Sequence, residues 1–139
     1  MVPTSPSDLL ADFPGPMAEI GEWLRGVVHR AIPASVERVR PGWRLIGFDV
    51  PTGTRRDAYF AYIAPEPIHI HLGFEHGVSM ADPHRLLQGR GITKQVRWVT
   101  LIPATMLPED RLADLLREAA RVTLLSRAER LALAELHGA

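Results

Sequence analysis

The residues best suited to chemistry fall within one short stretch: His69, His71, Glu75 and His76. In a strand, residues two apart face the same side about 7 Å from each other, so both imidazoles of His69-Ile70-His71 could reach one ion. Glu75 follows four residues later with His76 beside it, adding oxygen and nitrogen donors suited to iron or zinc. The same stretch has a plainer reading. Ile68, Ile70 and Leu72 form the buried face of a strand, and the histidines fill the other side of the pleat.

A second group is aromatic. Trp43, Phe48, Tyr59, Phe60, Tyr62, Phe74 and Trp98 cluster in the segments that read as strands. Most such residues are core. If helices cover only one face of the sheet, Trp98 or Tyr62 can line a groove or a dimer interface on the other. Arg97 is predicted to point to the face opposite Trp98. Arg97, Trp98 and Tyr62 are therefore the candidate ligand-binding residues.

Other constellations are weaker. Gly89-Arg90-Gly91 lacks the third glycine, the lysine and the strand–turn–helix setting of a phosphate loop, and reads as a turn before a strand. Arg55-Arg56 reads as a solvated hairpin tip. Ser35, Ser79 and Ser126 have no nucleophile-elbow signature, and no two carboxylates are paired for acid–base work. The spacing His-x-His-x-x-x-Glu echoes the first metal motif of cupins. Its flanking glycines are replaced by Ile63 and Asp82, and both ends of the chain read as helix, which leaves too few strands for that barrel.

The elements that must position these residues are readable from periodicity. Residues 1–15, rich in proline and small polar groups at their start, are expected to be a loose arm. Ile20, Trp23, Leu24, Val27, Val28 and Ala31 mark an amphipathic helix from near Pro16 to Pro33, with Glu19, Glu22, Arg25 and His29 on its outer stripe. Leu45–Val50, Ala58–Ala64, Ile68–Phe74 and Gln95–Ile102 read as strands, joined by short Pro- and Gly-containing loops that favour antiparallel neighbours. Asp82 to Gly89 reads as one helical turn closed by glycine. Pro108, Glu109 and Asp110 open a helix whose core face is Leu112, Leu115, Leu116, Ala119 and Val122. Ser126 and Glu129 have capping-box spacing and predict a last helix to about Leu136. The expected fold is α+β: an antiparallel sheet of about four to five strands, with N- and C-terminal helices packed on one face.

Composition sets outer limits. The chain has 139 residues, 46% of them hydrophobic and 23% charged, as expected for one ordinary globular domain. It has no cysteine, which excludes disulfides, thiolate catalysis and zinc-finger or iron–sulfur ligation. Sixteen basic residues balance sixteen acidic ones, evenly mixed, which argues against nucleic acid as a partner. No stretch approaches the ~20 apolar residues of a membrane helix, and the N-terminus lacks the pattern of a signal peptide, so a cytoplasmic location without membrane contact is expected.

One ordered run of motifs resembles a known family. His69 to Phe74 is followed by Gly77, then Met80-Ala81-Asp82-Pro83, Leu86-Leu87-Gln88-Gly89-Arg90-Gly91 and the strand Lys94-Gln95-Val96-Arg97. This is similar to the YdhG-like family, with its Gly-x-x-Leu-x-Asp-Pro segment, Leu-Leu-x-Gly-x-Gly turn and following basic strand. Glu37 stands at the acidic position of the family's Pro-x-x-x-Glu segment. Some members are described as frataxin-like iron chaperones, so the resemblance implies iron-binding carboxylate or histidine surfaces. Here the first helix offers only Glu19 and Glu22 beside Arg25.

The expected function is a non-enzymatic binding domain that holds a small ligand, a metal or a protein against its sheet. The alternatives are a frataxin-like iron chaperone, a metal-dependent enzyme using His69 and His71, and a structural module forming a homodimer.

Overall fold

The computed structural model describes residues 2–54 and 56–137. Ser5 caps a short helix α1 (Pro6–Leu10) by accepting the Asp8 amide at 3.1 Å. Leu9 and Leu10 of α1 are buried. The expected loose arm over residues 1–15 is corrected for residues 6–10, Met1 lying outside the described residues: α1 belongs to the core, because two leucines on one short turn find an apolar partner in the next helix.

Helix α2 (Gly15–Ala31) buries Ile20, Leu24, Val27 and Val28 of the stripe that the sequence marks, with Trp23 and Ala31 partly buried at its border, adds Met17, and ends before Pro33. Its polar side is not wholly outward. Arg25 reaches back to Glu37, and His29 lies 3.3 Å from the same carboxylate.

Five strands follow in meander order: β1 (Val36–Arg40), β2 (Leu45–Val50), β3 (Ala58–Pro65), β4 (Ile70–Phe74) and β5 (Arg97–Leu101), each antiparallel to the next. β1 reads weakly in sequence because one of its helix-facing residues is Glu37, which pairs with Phe48 across the ladder. The β2–β3 ladder shifts register between Phe48 and Asp49: Phe48 sits opposite Ala61, and Asp49 opposite Tyr59. Phe60 is the extra residue of this bulge, and the strand changes face there.

Helix α3 (Glu109–Thr123) packs against α2 and β3 and buries Leu112, Leu115, Leu116, Ala119 and Val122. Arg30 of α2 holds Glu109 at its start through two bonds of 2.7 and 2.9 Å. The capping box of Ser126 and Glu129 opens α4 (Arg127–Leu136). Helix α4 packs mainly on a 3-10 turn at Gly77–Ser79, where the buried Ser79 hydroxyl donates to the Arg130 carbonyl at 2.8 Å. The α+β architecture is as expected, with the core between α2, α3 and one face of the sheet.

The Asp82–Gly89 segment is not a helical turn. Asp82 accepts the Leu86 and Leu87 amides at 3.0 and 2.9 Å, and its carbonyl accepts the Arg85 amide at 3.1 Å. A carboxylate that satisfies amides four and five residues on removes the drive to wind a helix. The segment then runs extended, and Gln88 pairs with Trp98 along the outer edge of β5. Trp43 is likewise outside the sheet, on a 3-10 turn at Pro41–Trp43, and is 80% exposed. Arg56 is exposed at the β2–β3 loop; its neighbour Arg55 lies outside the described residues. No described helix is long and apolar enough to cross a membrane.

Candidate functional site

The helix-free face of the sheet carries most of the candidate residues. One row across all five strands reads Arg38, Gly47, Tyr62, Gly73 and Trp98. The next row toward the β3–β4 turn includes Ala64, His71 and Thr100. Glycine alternates with large side chains for a steric reason. A Cβ on Gly73 would lie 2.0 Å from the Tyr62 ring, and one on Gly47 would lie 2.6 Å from the Arg40 guanidinium. The bare backbone leaves room for rings and guanidinium groups to lie across neighbouring strands.

Two zones result. In the first, near the β4–β5 edge, the rings of His69 and His71 stack with centroids 4.7 Å apart, and His71 stacks on Trp98 at 5.6 Å. The Thr100 hydroxyl donates to the Gln88 side chain at 2.6 Å beside them. Burial, and next the adjacent His69, hold the His71 pKa below its ordinary value, so this half-buried imidazole stays neutral near pH 7. Ile68 does not share the buried face with Ile70 and Leu72. It sits in the β3–β4 turn before β4 begins and is 78% exposed, extending the apolar edge of this zone.

The second zone lies at the other end of the same face. The Arg40 guanidinium stacks 4.4 Å from the Tyr59 ring centroid and lies 3.6 Å from Asp49. Burial pushes the Glu75 carboxyl above its ordinary value, with Arg40 opposing, and it raises the Tyr62 hydroxyl too, reinforced by Glu75. Gln95 donates to the Glu75 backbone carbonyl at 3.0 Å and contacts His76 Nδ1 at 3.2 Å.

The four expected metal ligands therefore divide into two pairs. His69 and His71 stand at one end of β4, and Glu75 and His76 beyond the other, because four residues of extended chain span about 13 Å. Among the described residues, no three of the His, Asp or Glu side chains are grouped so as to hold a metal ion. The sheet is an open meander, not a barrel, which removes the cupin reading. Glu37, the acidic position of the family motif, is taken up by Arg25 and His29 between α2 and β1.

Tyr62 and Trp98 share the open face, in one row of the ladder. Arg97 lies opposite Trp98, as expected; its side is the helix-covered one, which the sequence leaves open, and it is buried there. It therefore cannot act with those two aromatics on one ligand. Thr100, Gln88, Arg40 and Asp49 were not singled out from sequence. The glycines opposite Tyr62 in the ladder were the available signal for the open row. Nothing in the sequence announces Gln88, which becomes an edge residue only through its pairing with Trp98. No protein-family model, curated protein or solved structure matches the chain.

Proposed function

We propose that this chain is a non-enzymatic binding domain of YdhG-like type, which holds a planar ligand on the open face of its sheet. One observation carries the reading: the Trp98–His71–His69 ring stack at the β4–β5 edge, bordered by the exposed Ile68. Stacked rings in a partly buried setting offer flat apolar contact, and the imidazole nitrogens add hydrogen-bonding edges. The Thr100–Gln88 pair provides polar groups at the rim.

The test is a titration of isotope-labelled protein with planar heteroaromatic fragments, read from backbone amide shifts. Shifts should concentrate on residues 69–73 and 97–100 and vanish in the His71→Ala and Trp98→Ala variants. Shifts elsewhere, or the same shifts in both variants, would reject this face as the binding site.

A second reading, the frataxin-like iron chaperone or metal-dependent enzyme, draws support from the two imidazoles side by side on one surface. They could supply two of a metal's ligands, the remainder coming from a partner. Elemental analysis of the purified protein, with iron and zinc titration of wild type and of a His69→Ala/His71→Ala double variant, decides it. Stoichiometric metal lost in the variant favours this second reading.

A further inference from the structure

Six of the described arginines form ion pairs with carboxylates, on α2, on α3, across the sheet and, for Arg44, with Asp12 between α1 and α2. Three others, Arg85, Arg90 and Arg97, have no described carboxylate partner, and they share the wall of one half-open cavity of about 520 Å³. It lies beside the start of β5, bounded by the 3-10 turn and the loop that leads away from Asp82. From this arrangement we propose that the helix-covered side of the domain carries a second binding site, an arginine cavity that takes the phosphate monoester of a small organic molecule.

Arg97 is the central observation. Only 7% of its surface is exposed. Its Nη1 donates to the carbonyls of Thr93 and Val96 at 3.0 and 2.8 Å, and to the Thr93 hydroxyl at 3.2 Å. Among the described residues its Nε and Nη2 donors have no acceptor, and the side chain borders the cavity. A buried guanidinium without a counter-ion is costly, and an anion arriving in the cavity removes that cost. Burial, and next the nearby charge of Arg90, hold the Arg97 pKa below its ordinary value, as expected of cations gathered without an anion.

The wall contains one described carboxylate, Asp82, and both its oxygens already accept amides of its own loop. The cavity therefore has an excess of two positive charges in a chain whose formal net charge is zero. Arg90 is steadied by a 3.1 Å bond from Nη2 to the His137 carbonyl. Arg85 sits on the wall with left-handed backbone, φ 54°, a conformation that non-glycine residues seldom adopt.

Guanidinium forks match phosphate oxygens two at a time, which favours a phosphate dianion over a single charge. The cavity falls within the range of about 300–1,000 Å³ typical of small-molecule sites. That is more room than bare phosphate fills. Met80 and Leu87 in the same wall give the organic part an apolar surface.

The test is calorimetric titration of the whole chain with phenyl phosphate at two pH values, one above and one below the second phosphate ionisation near about 6. Saturable one-to-one binding is expected at the higher pH, weakening at the lower as the dianion is lost. Arg85→Gln and Arg90→Gln should each weaken binding about tenfold or more, with unchanged unfolding midpoints, since both side chains are exposed. The His69→Ala/His71→Ala variant should bind phenyl phosphate as wild type does, because those residues are on the other face. Absence of saturation at millimolar ligand, or wild-type affinity in both arginine variants, overturns the site. Loss of binding in the histidine variant would move the ligand to the open face and overturn it as well. Malonate bound as tightly as phenyl phosphate would overturn the phosphate assignment.

Discussion

Leu10→Ala is expected to destabilise the domain by about 3 kcal/mol, and Gly21→Ala is expected to restore part of that loss. Leu10 is 1% exposed and lies directly on the backbone of α2. A Cβ at Gly21 would stand 2.4 Å from Leu10 Cδ2 and 3.0 Å from Cδ1. Truncating a fully buried leucine to alanine costs roughly 2–5 kcal/mol; the lower half applies here because a five-residue helix can settle into the space. With a urea slope of about 2 kcal/mol per M, the unfolding midpoint falls by about 1.5 M. Gly21→Ala alone drives a methyl into Leu10, a cost of about 1–3 kcal/mol that the helix preference for alanine, about 1 kcal/mol, only partly offsets. Once the Leu10 methyls are gone, the same substitution fills the vacated space and keeps the helix gain, so its sign reverses. Urea unfolding of wild type, the two single variants and the double variant, followed by helical circular dichroism, measures this coupling. Leu136→Ala, at a position 75% exposed, is the control and should stay within about 0.5 kcal/mol. A Leu10→Ala midpoint equal to that control, or a strictly additive cycle, would show that α1 does not dock on α2 in solution.

Two further outcomes follow from close contacts and from burial. Gly77→Ala should cost about 2 kcal/mol and lower the melting temperature by about 6 °C, because its Cβ would meet Arg97 Cβ at 2.4 Å and the Arg97 backbone nitrogen at 2.6 Å. Gly42→Ala, with nothing within 4 Å, should be close to neutral, and Gly77→Ala melting alongside it would refute the packing of the 3-10 turn on β5. The third outcome concerns His71, whose folded pKa lies below the ordinary histidine value of about 6.5, so the unfolded chain binds its proton more readily. Stability should therefore fall as pH drops through about 6.5 toward the folded value, and His71→Gln should flatten that slope. His76, lowered by burial and next by Arg130, acts in the same direction and keeps part of the slope in the variant. A steeper or unchanged slope in His71→Gln would contradict the half-buried, stacked position of this ring.

Local periodicity was enough to locate the two main helices, four of the five strands and the capping box of α4. Each depends on neighbours within one turn or one pleat: the apolar stripe of α2, the alternation of β4, the Ser126–Glu129 pair. β1 was not legible, because the alternation test looks for apolar residues and Glu37 faces the helices through an ion pair with Arg25. The N-terminal helix was missed for a similar reason. Five residues show no period, and the burial of Leu9 and Leu10 depends on α2 being present.

Sequence by itself determined the α+β class, the shared surface of His69 and His71, and the opposite directions of Arg97 and Trp98, since these follow from chain geometry over a few residues. Tertiary structure decided how those residues combine. The bulge at Phe60 brings Tyr59 onto the same face as Tyr62, although a strict alternation would put residues three apart on opposite sides. Extension of β4 separates His69 and His71 from Glu75 and His76, so one nominal ligand set becomes two. Arg85, Arg90 and Arg97 come together because Asp82 halts a helical turn and the loop beyond it folds back against β5. A charge cluster of that kind depends on where non-local segments meet, and no periodicity along the chain encodes it.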